Sequence, residues 1–295
     1  MLHHLLSAPV RPERVVVIGA GGFVGGAVKQ AAEAAGIGVL GLARSDIDLS
    51  APGAGQILAR SLRASDAVVA ATAKAPCRNL DMLIENLAIT RAIITALDAI
   101  PVAHVINISS DAVYGDEPVP LTENAPTAPA SYHGAMHLAR EIAFRSEIKS
   151  PLAILRPTLI YGASDPHNGY GPNRFRRLAN AGEDIVLFGA GEERRDHVLI
   201  EDVAEIVLRV LMHRSTGALN VATGEVHSFR TIADLAIAAA SSASAIKETP
   251  RSGPMPHNGY RPFDIAGTRA AFPGFEYVKL PAGIRRVQEQ AEGHG

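Results

Sequence analysis

The sequence predicts an α/β fold, a doubly wound parallel sheet with a smaller C-terminal α/β lobe. Two patterns predict it. Short apolar runs rich in Val and Ile alternate with helix-forming segments through the first half of the chain, the arrangement that βαβ crossovers and a sheet covered on both faces require. Beyond residue 157 this alternation gives way to a Gly/Pro-rich loop at 166–173 and to helices mixed with short strands. The expected division is therefore residues 1–165 as the sheet domain, with some later segments returning to it, and residues 166–295 mainly as the lobe. A chain of 295 residues with 47% hydrophobic and 20% charged content has enough apolar surface for a sizeable core.

The first element is the most informative. Val15-Val16-Val17-Ile18 is a run of β-branched residues suited to a buried strand. Gly19-Ala20-Gly21-Gly22-Phe23-Val24-Gly25-Gly26 follows at once, and residues 27–35 are strong helix formers. Strand, glycine turn and helix in that order form the context of a dinucleotide-binding fingerprint. Gly19, Gly22 and Gly25 give GxxGxxG rather than GxGxxG, because Val24 occupies the last glycine position of the latter. Such glycines permit a tight turn and a close approach of backbone N–H groups to a pyrophosphate, which the helix N-terminus also attracts.

A second strand is expected at 36–44, where the residue meeting the adenosine ribose normally stands at the strand's end. That place holds Ala43-Arg44-Ser45 rather than an acid, which favours NADP over NAD, although Arg44 also reads as an ordinary surface charge. Helical signals at 55–62 precede a third strand at 66–72. A long helix at about 80–100, closed by Pro101, leads to a fourth strand at 103–110 that ends in Ser109 and Ser110. Ligands of open α/β sheets bind off such carboxyl ends. A helix at 133–146 and a fifth strand at 152–157 complete the first half. Helices near 174–181, 202–213 and 231–240 and a strand at 185–188 are expected in the second.

Composition excludes several classes. A net charge of −2 gives no electrostatic basis for binding nucleic acid or an anionic membrane. A single cysteine, Cys77, excludes an internal disulfide and a Cys-rich metal site, and no metal is expected. Residues 1–10 lack the basic start and long apolar run of a signal peptide, and no stretch approaches the ~20 apolar residues of a membrane span. The expected location is cytoplasmic.

At this point the residues resemble the extended short-chain dehydrogenase/reductase family of nucleotide-sugar epimerases, dehydratases and reductases. The carriers are the glycine turn, Asp48-Leu49, Asn86, Ile108-Ser109-Ser110-Asp111-Ala112-Val113-Tyr114-Gly115, Tyr132 with its helix and Leu155-Arg156-Pro157. To these are added Arg195-Asp196-His197-Val198-Leu199-Ile200-Glu201-Asp202 and Arg261-Pro262-Phe263-Asp264. The resemblance implies a Rossmann-type fold and an NAD(P)-dependent epimerase or reductase acting on a nucleotide-activated sugar, commonly a homodimer. It implies cofactor contacts at Gly19, Gly22, Phe23, Val24, Gly25, Arg44, Asp48, Leu49, Asn86 and Pro157, and substrate contacts at Arg195, Arg261 and Asn173. Ser110 would hold the reacting oxygen and Tyr132 would move its proton, with Asp111 and His137 beside them. Hydride transfer at a carbinol needs such a proton transfer, and a planar guanidinium suits a diphosphate. Each position also has a plain reading: Ser110 as a cap, Tyr132 as a half-buried tyrosine, Arg195 paired with Asp196 or Glu193, and Tyr114 and Tyr161 as structural residues.

Two departures from the family pattern bear on the reaction. The family's tyrosine is followed four residues on by a lysine, and with Tyr132 in that role Met136 takes the lysine's place. Three readings remain open: His137 or His133 supplies the charge or proton relay, the oxidised nicotinamide itself lowers the phenol's pKa, or the protein binds dinucleotide as a sensor without redox turnover. The family's dehydratases carry an acid pair after the serine. Here Asp111 is followed by Ala112, which disfavours elimination of water.

Overall fold

The computed structural model describes residues 1–292. Its elements in order are β1 (Leu2–His4), β2 (Arg14–Ile18), α1 (Phe23–Ala34), β3 (Gly38–Leu42), α2 (Ala54–Ala59), β4 (Ala67–Ala70), α3 (Leu80–Ala99) and β5 (His104–Ile108). There follow α4 (Tyr132–Glu147), β6 (Leu152–Pro157), β7 (Leu159–Tyr161), α5 (Pro172–Asn180), β8 (Ile185–Phe188), β9 (Arg194–Leu199) and α6 (Ile200–Met212). The chain ends with β10 (Ser215–Val221), β11 (Val226–Ser228), α7 (Phe229–Ala239), β12 (Ile246–Thr249), β13 (Tyr260–Arg261), α8 (Ala266–Ala271) and α9 (Leu280–Glu292).

Seven strands form the central sheet in the order β1-β10-β6-β5-β4-β2-β3, all parallel except β1, which pairs antiparallel with β10 at one edge. The strand order reverses between β2 and β4, both of which begin crossovers, and this opens a crevice at their carboxyl ends. One face is covered by α1 and α6, with Val15, Val17, Val28 and Val207 fully buried between them. The other carries α2, α3 and α4 over Val16, Val68 and Ile93. Both sides of β2 are thus apolar, as its β-branched run implies.

The division of the chain is less clean than a cut at residue 165. Helix α6 and strand β10 return to the central sheet from within 166–295. The rest of that half builds a lobe around β9. The first half of β9 is flanked by antiparallel β11 and parallel β13, and its second half pairs with β7. A separate parallel pair, β8–β12, packs with α5, α7 and α9 around Phe175, Leu187 and Ile232. Short strands such as β7, β11 and β13 have two or three residues and no periodicity of their own, which is why only tertiary pairing reveals them. No helix is long and apolar enough to cross a membrane among the described residues.

Candidate functional site

The chain leaves β2 and turns at Gly19, whose φ of +93° lies in the region open to glycine. The Gly22 N–H closes the turn by donating to the Gly19 carbonyl at 2.9 Å. Helix α1 starts at Phe23, earlier than the helix formers alone suggest, with Gly22 as its N-cap and no side chain capping its first turn. Gly25 allows the helix to rest on the turn, since a Cβ there would lie 2.1 Å from the Gly19 carbonyl oxygen. The positive end of α1 borders a cavity of about 540 Å³ walled by Gly19, Gly22, Arg44, Asp48 and Leu49. A backbone cradle with bare N–H groups and no room for a Cβ fits a dinucleotide's pyrophosphate.

The outer end of this cavity is charged. Arg44, largely exposed, lies 3.2 Å from Asp48 and 3.7 Å from Glu85. The Ser50 hydroxyl and N–H, with Arg44, hold the Asp48 carboxyl below the usual carboxylate range. Asn86 reaches neither cavity. Its side chain instead accepts from the Lys74 N–H at 2.8 Å and donates to the Lys74 and Met82 carbonyls, so it braces the loop after β4 from behind.

A second cavity of about 810 Å³ adjoins the first, with Gly22, Thr72 and Ala73 in the wall of both. Phe23, Val24 and Pro157 line its near side, and Ser110 and Asp111 project from the carboxyl end of β5. The Ser110 hydroxyl caps the short turn Asp111–Val113, accepting from the Ala112 N–H at 3.1 Å and donating to Asp111 Oδ1 at 3.3 Å. Ser110 is therefore both a cap and a cavity residue.

The structure corrects the register of α4. Ser131 is the N-cap, its hydroxyl accepting from the Gly134 N–H at 3.1 Å, so Tyr132 is the first helical residue. Tyr132 is 47% exposed and Met136 1% exposed, and neither lines either of these two cavities. The pair spaced four apart that faces the cavity is His133 and His137, one residue on. Consecutive helical residues point about 100° apart, so a shift of one residue exchanges the whole face. Their rings meet edge to face with centroids 4.7 Å apart. Burial lowers the pKa of both, His137 further through the charges of His133 and Arg140, while Asp111 opposes the shift at His133. Burial thus favours the neutral form of both rings.

Helix α4 is seated by buried polar bonds. Gly134 rests directly on the Asp111–Val113 turn, where a Cβ would lie 2.1 Å from the Ala112 carbonyl oxygen. Arg140 donates to the Ala70 and Thr72 carbonyls at the end of β4. Glu141 accepts from Ser109 at 2.6 Å and from Arg156 through a two-bond fork at 2.8 and 2.6 Å. Arg156 also donates to the Tyr114 hydroxyl, which in turn donates to Asn220, a structural role for Tyr114.

On the lobe side, Arg261 is fully engaged. It donates to Asp111 Oδ2 at 3.2 Å, to the Asp111 carbonyl at 2.9 Å and to Asp116 Oδ1 at 3.0 Å, tying β13 to the turn after β5. Arg195 pairs with Glu193 at 2.6 Å inside the protein rather than at its surface. Its Nη1 is buried without a partner among the described residues, a spare donor on the cavity wall. Asn173 lines the cavity while fastening its rim, accepting from the Gly162 N–H at 3.1 Å. His197, two residues along β9 from Arg195, lines the cavity as well, its imidazole pushed down to about 3 by burial. Alternation along a strand is the signal that would have found it.

Comparison with known proteins agrees with this geometry. The model of the NAD dependent epimerase/dehydratase family matches residues 15–222. The chain is 32% identical over 139 residues to UDP-glucose 4-epimerase of Mycolicibacterium smegmatis, a stretch covering 44% of each, so the match spans less than half of that relative's length. Among solved structures, UDP-glucose 4-epimerase of Thermus thermophilus in complex with NAD superposes with a TM-score of 0.79 at 22% identity, covering 96% of this chain and 100% of the other. A GDP-L-fucose synthetase of Naegleria fowleri bound to NADP gives 0.82 at 17% identity, covering 99% and 97%. With the glycine cradle, the carboxyl-end cavity and a family match over most of its length, the chain belongs to the NAD dependent epimerase/dehydratase family.

Proposed function

We propose that the protein is an NAD(P)-dependent epimerase or reductase acting on a nucleotide-activated sugar by hydride transfer. The observation that carries this reading is the shared wall of the two cavities at Gly22, Thr72 and Ala73. It sets a phosphate cradle beside a chamber holding Ser110, Asp111 and His133, with the spare donor of Arg195 in the same wall for an anionic group. A bound nicotinamide dinucleotide supplies the hydride acceptor or donor. Gly19, Gly22, Phe23 and Val24 would cradle its phosphates, and Pro157 would border its reactive end. Arg44 and Ser45 at the ribose end favour NADP. Exposed Ile84 and Leu87 on α3 and Ile142 on α4 support pairing of two copies through these helices.

Mass spectrometry of the ligand retained on purification, followed by turnover assays with UDP-glucose and UDP-N-acetylglucosamine, tests the reading. A retained NAD(P) and interconversion of a sugar stereocentre or ketone are the expected results. A second reading is favoured by one observation, the absence of Tyr132 from the chamber: a sensor that binds dinucleotide without turnover. Tight NAD(P) binding with no reaction across the sugar panel would select it.

A further inference from the structure

We propose that the reacting end works without a phenol: neutral His133 donates its Nε2–H to the sugar's reacting oxygen, and the proton of that oxygen passes through Ser110 to Asp111. The inference rests on the hydride-transfer reading above and assigns its proton chemistry.

The position of His133 follows from the seating of α4. Gly134 lies on the Ala112 carbonyl, so the preceding residue abuts the Ser110–Asp111 turn at the cavity wall. The orientation of its ring follows from Cys77, whose backbone N–H donates to His133 Nδ1 at 3.4 Å. A nitrogen that accepts a hydrogen bond carries no proton in the neutral ring, which leaves the proton on Nε2. In this tautomer the ring gives a hydrogen bond and takes no proton at the nitrogen left for a ligand. His137, buried and edge-on at 4.7 Å, braces the ring from the same helix face.

The proton therefore needs another acceptor, and the bonds already present supply one. Ser110 Oγ takes the Ala112 N–H and gives its own proton toward Asp111 Oδ1. Arg261 occupies Asp111 Oδ2 and the Asp111 carbonyl, which holds Oδ1 on the serine side. As the carbinol C–H pair leaves as hydride for the oxidised nicotinamide, the O–H proton moves to Ser110 Oγ and the serine proton moves to Asp111 Oδ1. The products are a carbonyl, a serine hydroxyl and a carboxylic acid, and the reduction runs the same path backward. His133 Nε2–H stays on nitrogen throughout and stabilises the oxygen as charge develops on it.

The test uses the full chain with NAD⁺ or NADP⁺ and two probes, UDP-glucose and UDP-N-acetylglucosamine. Asp111→Asn and Ser110→Ala should each lower kcat by about 100-fold or more, with dinucleotide affinity held within about threefold. His133→Phe should also lower kcat, and His133→Gln, which keeps an N–H donor, should recover part of the loss. Tyr132→Phe should turn over as the unmodified protein does. Independently of activity, imidazole ¹⁵N NMR should find His133 protonated at Nε2, assigned by the signal missing in His133→Phe, and that signal should shift when UDP-glucose is added. Melting curves check each variant, and Ser110→Ala and the NMR measurement carry the test if Asp111→Asn does not fold. Near-full turnover by Asp111→Asn or Ser110→Ala, a His133 protonated at Nδ1, or an inactive Tyr132→Phe overturns the relay alone. An unmodified protein that holds dinucleotide yet converts neither probe overturns the hydride-transfer reading and the relay with it.

Discussion

The glycine turn at the start of α1 and the cavity face of α4 are two halves of one site, and they are built differently. The turn works through backbone: Gly19 supplies a positive φ, Gly25 removes a Cβ that would meet the Gly19 carbonyl at 2.1 Å, and the groups it can offer a ligand are N–H groups that every residue has. The face of α4 works through side chains, and which side chains those are depends on where the helix begins. Ser131 as N-cap turns His133 and His137 toward the cavity and Tyr132 away from it. A site made of backbone is secured by what is missing from it. A site made of side chains is secured by register.

The largest expected effect breaks that register. Glu141 is buried and holds both Ser109 and the Arg156 guanidinium, so Glu141→Ala leaves an unpaired buried cation and should cost about 3–5 kcal/mol in urea unfolding. A loss below about 1 kcal/mol would show that packing, not this pair, seats α4. Next comes the turn. Gly25→Val should destabilise by about 1–3 kcal/mol or more and abolish measurable dinucleotide binding in calorimetry, because the added carbons occupy the space of the Gly19 carbonyl.

Buried imidazoles give a smaller, pH-dependent term. Burial pushes His104 down to about 4 and His197 to about 3, so both stay neutral in the folded protein while the unfolded chain takes up protons near 6.5. A depressed folded pKa contributes stability that is present above the unfolded value and lost as pH falls. Asp196 and Asp202, raised to about 6 by burial, act in the opposite sense below that pH. The window to read is therefore pH 7 to 6, where each histidine should cost about 0.7 kcal/mol in chemical denaturation and each aspartate offsets roughly half of that, and His104→Gln should flatten the slope. Arg44→Ala should weaken NADP binding by about tenfold and leave NAD nearly unchanged. Equal losses for both cofactors would remove Arg44 from the choice between them. The smallest effect is that of Tyr132→Phe, within about 0.5 kcal/mol in stability, since the side chain is 47% exposed.

The sheet half of the fold was legible because its signals are local. Val15-Val16-Val17-Ile18 and the glycines after it form strand and turn by their own covalent geometry, and the matching elements lie within a few residues of their expected places. The lobe was less so, since β7, β11 and β13 exist only through pairing with β9. In the site, Ser110 and Asp111 were legible as residues at the carboxyl end of a buried strand. Arg261 was legible as a residue near the chamber but not as a tie between loops, because its partners Asp111 and Asp116 lie about 150 positions away along the chain.

What the sequence by itself determined is the glycine turn: glycines act by the absence of a side chain, and that absence is written in the residue names. What the tertiary structure alone decided is which residue of Tyr132-His133 faces the cavity. Both belong to one helix, and a rotation of about 100° between neighbours is settled only by the cap at Ser131 and the seat of Gly134 against the Ala112 carbonyl.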